Sequence, residues 1–138
     1  MKPFLGAQAE IKIGEPAVLE SDTPDGERGV VFEDDGETGY FYARDYRVEG
    51  KLFVDALHIY SVKGVIDSDR PSALKIIWTR DFTKSALLVN HSPHAIFDFT
   101  GQVGYCQDEF PEPDPETGWQ RRGWSLELRS WFYPEEDA

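Results

Sequence analysis

One cysteine, Cys106, is all that 138 residues contain. That shortage excludes an internal disulfide framework and a thiolate metal site alike, and it points to a reducing, cytoplasmic setting. Long apolar runs are missing as well. No stretch approaches the roughly 20 apolar residues needed to cross a bilayer. The N-terminal Met1-Lys2-Pro3-Phe4-Leu5-Gly6 lacks the apolar centre of an export signal, so the sequon Asn90-His91-Ser92 is expected to stay unmodified. Positive charge is scarce: 14 Lys and Arg face 26 Asp and Glu, for a net charge of -12. A field of that sign repels phosphate backbones and anionic headgroups, so neither nucleic acid nor membrane is an expected partner. Catalytic signatures are lacking too. There is no Gly-x-Ser-x-Gly elbow, no glycine-rich loop leading a strand into a helix, and no calcium-loop spacing of carboxylates. No cofactor is expected, and the balance leans away from an enzyme.

What is present is material for a core. Hydrophobic residues make up 40% and aromatic residues 14%, including nine Phe, six Tyr and four Trp. A chain of this length buries about two-thirds of its unfolded surface, which suits a single domain over residues 1–138. Short β-rich runs separated by turn residues dominate. Residues 29–33 and 39–43 flank Asp34-Asp35-Gly36-Glu37 as a β-hairpin, because Asp and Gly tolerate the backbone such turns require. Residues 52–62 form a longer strand, with Leu52, Val54, Ala56, His58, Tyr60 and Val62 on one face and Phe53, Asp55, Leu57, Ile59 and Ser61 on the other. Two partly apolar faces imply a central or sheet-junction position. Residues 74–79, 85–90 and 94–99 make a second meander, whose last turn is placed around Ser92-Pro93 because Pro cannot sit in a central ladder. Residues 9–13 and 17–20 add two strands around Gly14-Glu15-Pro16. Three prolines within Pro111-Glu112-Pro113-Asp114-Pro115 make residues 108–118 an extended loop.

The C-terminal segment has two readings. Trp124, Leu126 and Leu128 alternate as in a strand, whereas Trp124, Leu128, Trp131 and Phe132 have helical spacing behind a possible Ser125 cap. Strand is slightly favoured. The expected fold is mainly β: an antiparallel sandwich or a curled, barrel-like sheet of seven or more strands, with at most one short C-terminal helix.

Candidate sites are few. His91, His94 and Asp98 gather around one hairpin and could ligate zinc or iron, although such donors often only stabilise a turn. His58, among apolar neighbours, reads as a core histidine; a general base would need an orienting acid, and Asp55 projects from the opposite face. Cys106 has acidic sequence neighbours that suppress its thiolate. Asp34, Asp35 and Glu37 read as turn residues or as a negative contact surface. Tyr40 and Tyr42 share a face and, with Trp119, Trp124 and Trp131, are either core or an aromatic binding patch.

The stretches Val31-Phe32-Glu33-Asp34-Asp35-Gly36-Glu37-Thr38-Gly39-Tyr40-Phe41-Tyr42-Ala43, Asp55-Ala56-Leu57-His58-Ile59-Tyr60, Trp78, Ala86-Leu87-Leu88, Pro93-His94-Ala95-Ile96-Phe97-Asp98-Phe99 and Gly104-Tyr105-Cys106 resemble a family of small bacterial proteins of unknown function. The resemblance implies a bacterial, cytoplasmic protein and assigns no catalytic residue. The functional expectation is a non-catalytic interaction module, of inhibitor, immunity or adaptor type, that meets a basic protein partner through acidic loops. Its binding surface would draw on Asp34, Asp35, Glu37, Tyr40, Tyr42, His58 and Tyr60. The alternative is a small-ligand or metal-dependent enzyme or sensor at His91, His94 and Asp98 or near His58; pairing of exposed strand edges into a homo-oligomer is a third.

Overall fold

The computed structural model describes residues 2–66 and 68–133. Within them ten strands form two sheets: β1 (Phe4–Lys12), β2 (Ala17–Asp22), β3 (Arg28–Asp34), β4 (Thr38–Asp45), β5 (Asp55–Ser61), β6 (Pro71–Trp78), β7 (Lys84–Val89), β8 (Ser92–Asp98), β9 (Val103–Cys106) and β10 (Gln120–Arg122). The larger sheet runs β1-β6-β7-β8-β9-β10 and the smaller β2-β3-β4-β5. The fold is therefore mainly β, an open two-sheet sandwich with no closed barrel. Every pairing is antiparallel except β9 with β10, where the chain returns from the proline-rich loop in parallel. The break at Gly14, with φ of 99°, sends β1 and β2 into different sheets.

Strand alternation builds the core. On β4, Phe41 and Ala43 point inward and are fully buried, while Tyr40 and Tyr42 point out. Val30, Phe32, Phe41 and Leu57 of the smaller sheet meet Leu74, Ile76, Trp78, Leu87 and Phe97 of the larger one, with Trp119 packed edge-on against Phe97 and Phe99. Each such large side chain contributes about 1.5–3 kcal/mol by leaving water. The larger sheet is apolar on its other face too, where Ile77, Ala86, Leu88, Ile96, Val103 and Tyr105 cluster.

That second face settles the C-terminal segment against the favoured reading. Leu126–Trp131 is a 3-10 helix, not a strand. A strand would have buried Leu126, which is 87% exposed. The helical spacing instead lays Trp124, Leu128, Trp131 and Phe132 over the sheet, and the Ser125 hydroxyl accepts the Glu127 N–H as the cap.

Three other expectations are corrected. The β7–β8 turn is Asn90-His91, both at positive φ (50° and 70°) as a two-residue hairpin turn demands; Pro93 lies inside β8, opposite Leu88, beside a bulge at His94. The third strand is shorter than residues 52–62 and forms the edge of its sheet rather than the centre. Its faces also differ from simple alternation. Tyr40 pairs with His58 but Gly39 with Tyr60, so Ile59 is an extra residue. Beyond it the faces exchange: Tyr60 turns inward and Ser61 returns to the outer side with His58. Among the described residues no helix is long and apolar enough to cross a membrane. Asp67 and residues 134–138 lie outside the described residues.

Candidate functional site

The outer face of the smaller sheet carries two rungs, read directly from strand register: Val18, Glu33, Tyr40 and His58, then Glu20, Val31, Tyr42 and Ala56. Tyr40, Tyr42 and Phe53 belong to neither core cluster. They form a row of rings instead. Phe53 stacks on Tyr42 at 4.3 Å between centroids, Tyr42 on Tyr40 at 5.8 Å, Tyr40 meets His58 edge-on at 5.6 Å, and His58 meets Phe110 at 5.9 Å. The loop after β9 forms one wall of this face, with the His58 N–H donating to the Phe110 carbonyl at 2.9 Å. Between wall and sheet lies a groove of about 290 Å³ lined by Tyr42, Phe53, Ala56, Pro111, Glu112 and Asp114 among others. Its acidic lining is Glu112 together with Asp114, which pairs with Lys51 at 2.9 Å, and Asp55, which pairs with Arg121. Burial pushes the Tyr42 hydroxyl pKa up, and the charges of Glu33 and Asp35 add to the rise.

The wall is fixed by a buried ion pair. Arg121 of β10 donates two 2.6 Å hydrogen bonds to Asp55 of β5, a third to the Ala56 carbonyl and a fourth, from Nε, to the Pro111 carbonyl. The side chains are only 6% and 2% exposed. A Cβ on Gly104 would fall within 2.6 Å of the Asp55 carboxylate and closer still to the guanidinium, so only glycine lets the pair pass beneath β9.

At the end of the aromatic row His58 sits between two partners. Its Nδ1 lies 2.6 Å from Asp108 Oδ2, and its Nε2 lies 3.2 Å from the Ser61 hydroxyl. Burial alone would raise the Asp108 pKa, but the Phe110 N–H and the His58 contact outweigh it and hold the carboxyl below its ordinary value. An ionised carboxylate only accepts, so Nδ1 carries a proton; in the neutral ring Nε2 then accepts from the Ser61 hydroxyl. Asp108 Oδ1 also accepts from the Cys106 thiol at 3.4 Å. Burial, reinforced by that carboxylate, pushes the thiol up to about 11, which leaves Cys106 inert as a nucleophile at neutral pH. A cavity of about 130 Å³ beside His58 is lined by Ile59, His94, Gln107 and Asp108.

The sequence-predicted residues divide. Tyr40, Tyr42 and His58 share the outer face. Asp34 and Tyr60 do not: Asp34 is 1% exposed and accepts from the Gly14 and Gly36 amides and the Tyr60 hydroxyl, all within 2.8 Å. Asp35 accepts the Glu37 and Thr38 amides, and Glu37 is exposed at the same turn. His91, His94 and Asp98 diverge. His91 is exposed at the hairpin tip, His94 Nδ1 is 2.8 Å from the Ser92 carbonyl, and Asp98 accepts the Gly101 N–H at the far end of β8, roughly 13 Å away along an extended strand. Among the described residues no group of three or more His, Cys, Asp or Glu could hold a metal ion. Ser61, Asp108, Phe53 and Phe110 were missed. An odd spacing separates Ser61 from His58 in a regular strand, and Asp108 is 50 residues away; only the bulge and the loop bring them together.

Comparison with known proteins matches residues 11–133 to a family described as "Uncharacterized protein conserved in bacteria (DUF2251)". An uncharacterised protein of Haemophilus influenzae is 45% identical over 92 residues, which are 67% of this chain and 57% of that relative. The chain thus spans little more than half the length of that relative. No solved structure matches it.

Proposed function

The chain belongs to this family of uncharacterised bacterial proteins, and from its outer face we propose that it is a protein-interaction module that seats Lys or Arg side chains of a basic partner on the Phe53–Tyr42–Tyr40 row. The observation that carries the reading is that row itself: three stacked rings left out of both core clusters, on a sheet face that carries Glu33 beside Tyr40 and Glu20 paired with Arg44, with Glu112 in the groove wall. Open ring faces attract cations by about 0.5–2 kcal/mol, more as water is displaced; Tyr42 is stacked between Phe53 and Tyr40, so the cation is expected at Phe53, which ends the stack. Burial is the main cause of the raised Tyr42 hydroxyl pKa, and the smaller contribution of the Glu33 and Asp35 charges is of the sign that favours a nearby cation. A groove of about 290 Å³ lies at the lower bound of small-molecule sites and suits a single inserted side chain. The net charge of -12 supports rapid capture of a basic surface at low salt. The sequence expectation of contact through acidic loops is thereby moved from the turns to a sheet face that the turns surround.

The test separates the rings from the charge. An arginine-rich model peptide is titrated into the wild type and the Tyr40→Ala/Tyr42→Ala double variant, whose net charges are equal. Affinity is expected to fall about tenfold in the variant, as loss of somewhat over 1 kcal/mol implies, and to weaken in both proteins as salt rises. Equal affinities would remove the row from the binding surface.

A further inference from the structure

We propose that Ser61, His58 and Asp108 form a nucleophile, base and orienting acid that hydrolyse short-chain esters, an activity separate from the docking of a basic partner. The geometry meets the requirement for such a set: base within hydrogen-bond reach of nucleophile, and base oriented by a third group. Ser61 Oγ is 3.2 Å from His58 Nε2, and His58 Nδ1 is 2.6 Å from Asp108 Oδ2. The parts are held rather than adjacent by chance. The Ile59 bulge brings Ser61 to the His58 face, the Phe110 and Tyr40 rings flank the imidazole, and the Phe110 N–H fixes the second Asp108 oxygen at 3.1 Å. The tautomer is the productive one, with Nε2 unprotonated toward the serine. Ser61 is exposed, so a substrate reaches it from solvent, while the His58 ring is mostly shielded at 18% exposure.

The chemistry balances with water as the only co-reactant. Ser61 Oγ bonds to the ester carbonyl carbon as its proton passes to His58 Nε2. The bond from that carbon to the alcohol oxygen then breaks, and the proton on Nε2 leaves with the alcohol. Water attacks the acyl-serine, gives one proton to Nε2, and the carboxylic acid departs as Ser61 recovers that proton. Asp108 stays ionised and acts as a positioning residue. The substrate class follows from the surroundings: Ser61 is open to solvent on the outer face, which a small ester reaches without entering a deep pocket, and the acidic field disfavours an anionic ester.

A fluorophosphonate probe tests this directly, because it phosphonylates a serine only when a base activates it and fluoride leaves. In the intact protein, mass spectrometry is expected to place the label on Ser61, with none there in Ser61→Ala, a surface change that circular dichroism should show to be folded. His58→Gln is expected to slow labelling about 100-fold or more. Asp108→Asn, whose amide N–H can face Nδ1 and force the wrong tautomer, is expected to slow it and alter the pH profile. Hydrolysis of p-nitrophenyl acetate should fall in parallel. An unlabelled Ser61 in folded protein, or a labelling rate indifferent to His58→Gln, would overturn the proposal. Neither result bears on the Tyr40 and Tyr42 row, whose test uses a basic peptide and no probe.

Discussion

Replacement of Arg121 by methionine is expected to lower the free energy of unfolding by about 3–5 kcal/mol, the usual consequence of stranding one partner of a buried ion pair. The methionine fills much of the volume but donates nothing. Asp55, 2% exposed, would be left without the two guanidinium bonds, and the carbonyls of Ala56 and Pro111 would lose their donor. The effect reaches beyond stability, because the same guanidinium ties the loop wall to β5 and thereby shapes the groove beside Tyr42. Urea unfolding followed by tryptophan fluorescence measures the loss. A matched pair, Asp55→Leu with Arg121→Met, is expected to recover a large part of it, since neither charge is then buried alone. A loss below about 1 kcal/mol for Arg121→Met would mean that the pair is hydrated and that something else holds the wall.

Asp34→Ala is expected to cost about 2–4 kcal/mol. Three donors converge on this carboxylate: the Gly14 amide from the crossing between sheets, the Gly36 amide of its own turn and the Tyr60 hydroxyl from β5. Removing it strands all three, each worth about 1–3 kcal/mol when buried, less whatever water regains at the two turns. Burial, then the Asp34 hydrogen bond, pushes the Tyr60 pKa up, so its hydroxyl remains a donor across the ordinary range. Asp34→Asn keeps one acceptor oxygen and is expected to lose about half as much in the same unfolding measurement. A loss for Asp34→Ala within about 0.5 kcal/mol would show the site to be wet and its role in joining the strands to be dispensable.

The contrast between these residues and the outer face shows what a one-dimensional reading can reach. The β3–β4 hairpin was legible because its turn chemistry is local: Gly36 at φ of 100° and Asp side chains bonding amides two residues on are encoded in four adjacent positions. The sharing of a face by Tyr40 and Tyr42 was legible for the same reason. Which face was not, since alternation gives parity without saying which parity meets the other sheet. His58 illustrates the next limit. Parity placed it with Tyr60, and the single extra residue at Ile59 reversed everything after it. The orienting acid missing from the sequence near His58 exists, but it arrives on a loop after β9. The C-terminal segment failed differently: both periodicities were present, and the choice depended on an apolar sheet face waiting to be covered. The metal reading of His91, His94 and Asp98 counted donors near one turn, whereas the strand carries Asp98 away from it.

The central claim is that a basic partner lands on the aromatic sheet face and not on the acidic turns around it. Backbone amide NMR of the protein titrated with an arginine-rich peptide locates the contact residue by residue. The largest shifts are expected on Tyr40, Tyr42 and His58, along the outer face of β4 and β5, and on Phe53 just before β5. Shifts confined to Asp35 and Glu37 at the β3–β4 turn, with Tyr40, Tyr42, Phe53 and His58 unmoved, would contradict it.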